Sequence, residues 1–243
     1  MKKVVAVIPA RYASSRFPGK PLAKIHDKPM IQWVYERVKG VEGITDVYVA
    51  TDDERIFDTV ECFGGKVIMT SKDHKSGTDR ISEAISKIDD DIDIVLNIQG
   101  DEPMIKKEMI SQLISAFDDE SVNMATLKKR LYDEDDINNP NIAKVITDVN
   151  NDATYFSRST IPYNRDGKDD IKYFKHIGVY GYKKDFLMKF SNLKKSNLEE
   201  LEQLEQLRVI ENGYKIRVIE TEYESIGVDL PEHIDKVESL LLK

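Results

Sequence analysis

One cysteine, Cys62, occurs in 243 residues. No internal disulfide can form, which fits a reducing compartment. Long apolar runs are also missing. The opening run in MKKVVAVIPARY meets Arg11 too early for a secretory leader or a membrane span. A cytoplasmic protein without membrane insertion is therefore expected. Positive charge is in deficit: 36 Lys and Arg stand against 44 Asp and Glu, a formal net charge of −8. That balance argues against a general nucleic-acid surface, so any polyanion site must be a local basic pocket. Absent too are a Walker loop, a Rossmann glycine fingerprint, a Cys/His zinc set and a defensible Ser-His-Asp arrangement. No internal repeat, low-complexity tract or obvious linker interrupts the chain.

What is there is an alternation of short apolar runs and helical patterns. Strands are expected at 4–8, 46–50, 66–69 and 94–98, and helices at 30–38, 54–63, 77–88 and 107–117. The strands are rich in Val and Ile on both faces, as in a parallel sheet covered by helices on each side. The expected fold is therefore α/β, doubly wound, with a mostly parallel sheet. Ligands in such sheets sit beyond the carboxyl ends of the strands, so the loops after Ile8, Ala50, Met69 and Ile98 should converge on one cleft. In the second half, strands are expected at 123–129 and 143–147, separated by an acidic loop at 132–139. A mobile polar loop at 164–170, a strand at 175–182, a helix at 198–211, a strand at 215–219 and a closing helix at 231–242 follow. A single domain over 1–243 with a small insertion that helps form the site is the simplest account.

The candidate chemistry starts in the loop after the first strand, which carries Arg11, Ser14, Ser15, Arg16, Gly19 and Lys20. A strand leading into a Gly-containing basic loop and then a helix suits a nucleotide triphosphate. Lys20 lies in Pro18-Gly19-Lys20-Pro21, a restricted setting that presents its ammonium. Asp101, in Gln99-Gly100-Asp101-Glu102, follows a buried strand end and is placed to hold a hard cation such as Mg²⁺. A turn and helix cap is the equal alternative. Asp229, in Gly227-Val228-Asp229, has the same two readings, and the two sites together favour a shared metal. Arg80, in Ser76-Gly77-Thr78-Asp79-Arg80, opens a helix and suits a nucleotide contact, although Ser76 also reads as a plain cap. Arg158 stands alone in an uncharged stretch, where a guanidinium can hold a carboxylate in two-pronged fashion. By pattern alone His176 reads as a structural strand residue, and Glu205 with Arg208 as a solvated i,i+3 pair. Lys128-Lys129-Arg130 reads as a solvated strand end.

Taken together, IPARYASSRFPGKPL, ATDD, SGTDR, NIQGDEPMI, NPNIAKV, YFSRSTIP, HIGVYGY, LEQLR and GVDLPE resemble, in this order and over nearly the full length, the 3-deoxy-manno-octulosonate (Kdo) cytidylyltransferases. The resemblance implies a nucleotidyltransferase fold of the nucleotide-diphospho-sugar transferase kind, usually dimeric. It implies CTP and Mg²⁺, and activation of a sugar acid for lipopolysaccharide or capsule assembly. Carried over by motif, Arg11, Ser14 and Lys20 match the CTP-phosphate loop, with Gln99 on the cytosine or ribose side. Asp101 and Asp229 match the magnesium carboxylates; Arg16, Arg158, His176, Tyr180, Glu205 and Gln206 fall where the family lines the sugar pocket. For His176 the resemblance outweighs the structural reading. Lys20, Arg11 and Arg16 are expected to stabilise charge in the transfer step.

The chain departs from the family pattern at Leu230 and Ser225, usually Thr and Gly, and in a shorter stretch at 162–176, all on the sugar side. Alternatives are a cytidylyltransferase for another acidic or amino-substituted sugar, or a non-catalytic nucleotide-binding regulator. A glycosyltransferase would carry Asp-x-Asp where this chain reads QGDEP.

Overall fold

The apolar run at the start of the chain forms β1 (Val4–Ala10), in which Val4 to Ile8 are at most 2% exposed. Side chains on both faces of this strand are buried, as a parallel sheet with two covered faces requires. The computed structural model describes residues 2–14 and 16–241, so Ser15 of the basic loop and Leu242 of the closing helix lie outside the described residues.

After β1 come β2 (Lys24–Ile25), β3 (Lys28–Pro29), α1 (Met30–Lys39), β4 (Ile44–Thr51), α2 (Glu54–Cys62), β5 (Lys66–Met69), α3 (Gly77–Ser86), β6 (Ile94–Asn97) and α4 (Lys107–Ser115). The chain continues through β7 (Met124–Leu131), α5 (Glu134–Asn138), β8 (Lys144–Thr147), β9 (Ala153–Ser157), β10 (Tyr173–Lys183) and α6 (Lys184–Ser191). It ends with α7 (Asn197–Glu202), α8 (Leu207–Glu211), β11 (Arg217–Glu220) and α9 (His233–Leu241). The packing divides into two compact units: Met1–Ser111 with Glu224–Lys243, and Gln112–Tyr223.

In the first unit four strands run in the order β6-β1-β4-β5 with parallel pairings, and β2 pairs antiparallel with β3. The expected α/β alternation is present throughout it. Asp53 caps α2 by accepting from the Arg55 amide at 3.0 Å, and Ser76 caps α3 by accepting from the Asp79 amide at 3.1 Å. The C-terminal segment is tied in through an apolar cluster. Val228 and Val237 pack with Ile25 and Met30, all fully buried, and Trp33 donates its indole N–H to the Ile25 carbonyl at 2.9 Å. Burying a side chain such as Val228 stabilises by about 1.5–3 kcal/mol, which anchors the chain one residue before Asp229.

In the second unit β7 pairs antiparallel with β10 and parallel with β11, while β8 pairs antiparallel with β9 and β10. Several sequence expectations change here. The acidic loop contains α5, because Asp133 accepts from the amides of Asp135 and Asp136 and the acidic first turn suits the positive end of a helix. The single helix expected at 198–211 is two, separated by Gln203 at φ 53°. Arg208 explains the break. It is 4% exposed and donates to Glu199 at 2.7 and 2.5 Å, with Glu205 a further contact at 3.5 Å. On one continuous helix, residues nine apart would lie on opposite faces. The pair can meet only because the chain turns between them, so Arg208 is not the solvated partner expected. Lys128 is not solvated either: it is buried, donates to Thr147 Oγ1 at 2.8 Å and lies 4.5 Å from the Phe174 ring centre. The polar loop at 164–170 closes on itself, with Asn164 bracketing Lys168 through bonds of 2.8 and 2.9 Å. Strand β9 and helix α6 were not expected from the sequence.

Candidate active site

In the first unit a cleft of about 280 Å³ opens at the carboxyl ends of the strands. It is lined by the loop after β1 (Arg11, Ser14, Arg16, Lys20), the approach to α3 (His74 to Gly77, and Arg80), the turn after β6 (Gln99 to Asp101), and Asp229. Three of the four loops expected to converge do so. The fourth, after β4, contributes through Asp52, which accepts from Arg80 at 3.0 Å.

Local backbone geometry sets the basic loop. Gly19 has φ +71°, a left-handed conformation, and its amide donates to the Tyr12 carbonyl at 2.9 Å to close the loop. A Cβ there would lie 3.0 Å from the Tyr12 ring. Lys20 follows immediately, and its ammonium bonds Asp101 Oδ2 and lies 3.7 Å from Asp229 Oδ1. The two aspartates meet because their backbones do: the Val228 amide donates to the Asp101 carbonyl at 2.8 Å. Gly100 allows the turn to approach β1, since a Cβ there would lie 3.0 Å from the Pro9 carbonyl oxygen. Arg16 reaches Asp229 Oδ1 at 3.0 Å from an exposed position. Neither aspartate opens a helix; α4 starts at Lys107 and α9 at His233. The Asp229 amide donates instead to His233 Nδ1 at 3.1 Å.

Among the described residues, no group of three or more His, Cys, Asp or Glu is gathered to hold a metal. The acidic set is the pair Asp101 and Asp229. That pair fits Mg²⁺, which takes one or two carboxylates and fills its shell with water and substrate phosphate. Both carboxylates already flank one cation, the Lys20 ammonium.

Arg80 is 3% exposed, with NH1 donating to Thr70 Oγ1 at 2.6 Å and NH2 to Asp52. It borders the cleft with its guanidinium tied into the protein. His74 and Lys75 also line the cleft and were not singled out from the sequence, although they directly precede SGTDR. His74 Nε2 contacts Glu83, which also takes the Ser71 amide at 2.9 Å and the Lys87 ammonium at 2.6 Å. Burial works against ionising Glu83. The bonds from Lys87, the Ser71 amide and His74 outweigh it and hold the carboxyl at about 2.

The second unit gathers His176, Tyr180, Glu205 and Gln206. His176 Nε2 lies 3.0 Å from Thr126 Oγ1, and Gln206 Nε2 lies 3.4 Å from Nδ1. Phe156 meets the imidazole edge-on at 4.9 Å between centres, and Tyr180 lies at 5.5 Å. Although its surface is only half-buried, the imidazole is enclosed by these rings. Desolvation pushes it down to about 3, so His176 is neutral at physiological pH. Burial first, and then the Glu205 charge, raise the Tyr180 phenol. Arg158 is placed differently from a carboxylate clamp. Its guanidinium donates to the carbonyls of Glu202, Pro140 and Gln203 at 2.8, 3.1 and 3.5 Å. The fully buried Lys144 donates to the carbonyls of Asn139, Ile142 and Arg158 at 2.9, 2.7 and 2.7 Å.

The family model described as cytidylyltransferase matches residues 5–216. The 3-deoxy-manno-octulosonate cytidylyltransferase of Thermodesulfovibrio yellowstonii is 54% identical over 249 residues, covering 98% of this chain and 97% of that protein. The enzyme of the same name from Fusobacterium nucleatum is 52% identical, covering 97% and 95%. A solved structure of CMP:2-keto-3-deoxy-manno-octonic acid synthetase complexed with CTP superposes with a TM-score of 0.94 at 46% identity, covering 99% of each chain. A more distant structure, 4-diphosphocytidyl-2C-methyl-D-erythritol synthase from Anaerococcus prevotii, shares the fold at a TM-score of 0.64 and 16% identity, covering 100% of this chain and 99% of that one. The fold is thus the α/β nucleotidyltransferase fold, and the chain belongs to the 3-deoxy-manno-octulosonate cytidylyltransferase family.

Proposed function

We propose that this protein couples CTP to Kdo, giving CMP-Kdo and pyrophosphate. The observation that carries the reading is the convergence of Lys20, Asp101 and Asp229 in a cleft at the strand ends, beside Arg11 and Arg16. The oxygen of the sugar's anomeric hydroxyl forms a bond to the α-phosphorus. The bond from that phosphorus to the bridging oxygen of the β-phosphate breaks, and pyrophosphate leaves with the electron pair. The hydroxyl proton passes to solvent.

In this reading Arg11, Ser14 and Lys20 hold the triphosphate, Gln99 meets the nucleoside, and Arg80 supports the wall through Asp52. Lys20, Arg11 and Arg16 offset the charge that grows on the phosphate oxygens. Such positioning and electrostatics supply most of the catalysis in phosphoryl transfer. Asp101 and Asp229 hold Mg²⁺, which when bound polarises phosphate and acceptor oxygens and eases loss of the hydroxyl proton. By the family pattern, His176, Tyr180, Glu205 and Gln206 of the second unit contact the sugar acid; Arg158, tied to backbone carbonyls, shapes that region.

The test is pyrophosphate release from CTP and Mg²⁺, with Kdo set beside a panel of other acidic sugars. Release with Kdo alone is the expected outcome. Release only with another acidic sugar would move the acceptor, and silence with all of them would favour a nucleotide-binding regulator.

A further inference from the structure

Thr126 is fully buried on β7, and its hydroxyl touches three acceptor-capable atoms. Oγ1 lies 3.0 Å from the Ile177 carbonyl, 2.8 Å from the Val179 carbonyl and 3.0 Å from His176 Nε2. The contact coincides with a register shift: Ile177 pairs with Leu127 and Tyr180 with Thr126, so β10 places two residues, Gly178 and Val179, between partners that are adjacent on β7. Thr126 sits under that bulge, between His176 and Tyr180.

A hydroxyl has one proton to give and can accept others. If it is given to a bulge carbonyl, the imidazole must be the donor at Nε2. On the other side of the ring, the Gln206 amide nitrogen is itself a donor, 3.4 Å from Nδ1. Both neighbours call for the same form of the ring. We infer that Thr126 is a positioning residue for His176: its hydroxyl holds the imidazole with the proton on Nε2, leaving Nδ1 to accept from the Gln206 amide and so orienting that side chain as well. The inference rests on the reading of His176 and Gln206 as sugar contacts. The neutrality that desolvation imposes on the ring supports it.

Long-range proton–nitrogen NMR on the ¹⁵N-labelled full chain reads the ring directly, with His176→Asn assigning the signals. The wild type is expected to show Nε2 protonated and Nδ1 bare. Thr126→Val removes the hydroxyl at nearly constant shape. It is expected to mix the two ring forms and raise KM for Kdo about tenfold, the scale of one neutral hydrogen bond, with KM for CTP unchanged. Thr126→Ser keeps the hydroxyl and should restore both readouts. An Nδ1-protonated ring in the wild type, or a folded Thr126→Val with unaltered ring and KM, overturns the inference. If Thr126→Val does not fold, the wild-type spectrum still decides. Absence of turnover with Kdo would instead sink the functional reading, since the spectrum is recorded without substrate.

Discussion

Lys20 carries more of the candidate site than any other single side chain, because two aspartates from distant parts of the sequence flank its ammonium. Replacing Asp101 by Asn keeps the shape and removes one of the two charges available to a divalent cation. That change is expected to lower kcat by at least roughly 100-fold in the pyrophosphate assay, the scale of lost electrostatic stabilisation. Near-normal turnover in Asp101→Asn would refute the metal assignment. Glu83 yields a pH prediction. Its carboxyl is depressed from 4.5 to about 2, so the stability it contributes is present above pH 4.5 and is lost as pH falls through about 2. Glu83→Gln should therefore cost roughly 2–3 kcal/mol at neutral pH, discounted for partial exposure, and flatten the acid limb of the unfolding curve. Urea titrations at pH 7 and pH 3 measure the difference.

Between β1 and α1 the decisive element is the closed loop around Gly19. Its left-handed φ disfavours any side chain, and a Cβ there would press on the Tyr12 ring at 3.0 Å. Tyr12 is itself held by Arg55, 3.3 Å from the ring centre. Gly19→Ala is expected to destabilise the protein by about 1–2 kcal/mol, read as a shifted urea midpoint with unchanged slope, and to raise KM for CTP by displacing Lys20. An unshifted midpoint would show that the loop relaxes freely. Elements of the first unit were legible from the sequence because their strands are uniformly apolar and their helices begin at clear caps such as Asp53 and Ser76. The break at Gln203 was not, since the periodicity of 198–211 runs through it; only the buried Arg208–Glu199 pair reveals why the helix must stop.

For the whole molecule, family membership follows from full-length similarity, whereas assembly is a separate matter. We propose a homodimer. The family resemblance implies this assembly, and Tyr132, Val149, Tyr163 and Leu201 of the second unit are large apolar side chains that leave 73–97% of their surface exposed. Light scattering at assay concentration should give twice the chain mass, and a monomeric mass would reject this assembly. Among the described residues no helix is long and apolar enough to cross a membrane.

The sequence by itself determined the alternation of strands and helices, the position of the ligand loops at the strand ends, and the basic loop with its two candidate aspartates. These are properties of local pattern: period, apolar runs, and glycine and proline placement. The tertiary structure alone decided which partners each charge has. Arg80 and Arg158 look alike in the sequence as free guanidiniums, yet one is tied to Asp52 and Thr70 and the other to backbone carbonyls. Nor does any pattern place Thr126 under His176, fifty residues away, at a shift in strand register. Hydrogen bonds and ion pairs depend on distances of a few ångströms between remote residues, and only the folded chain sets those distances.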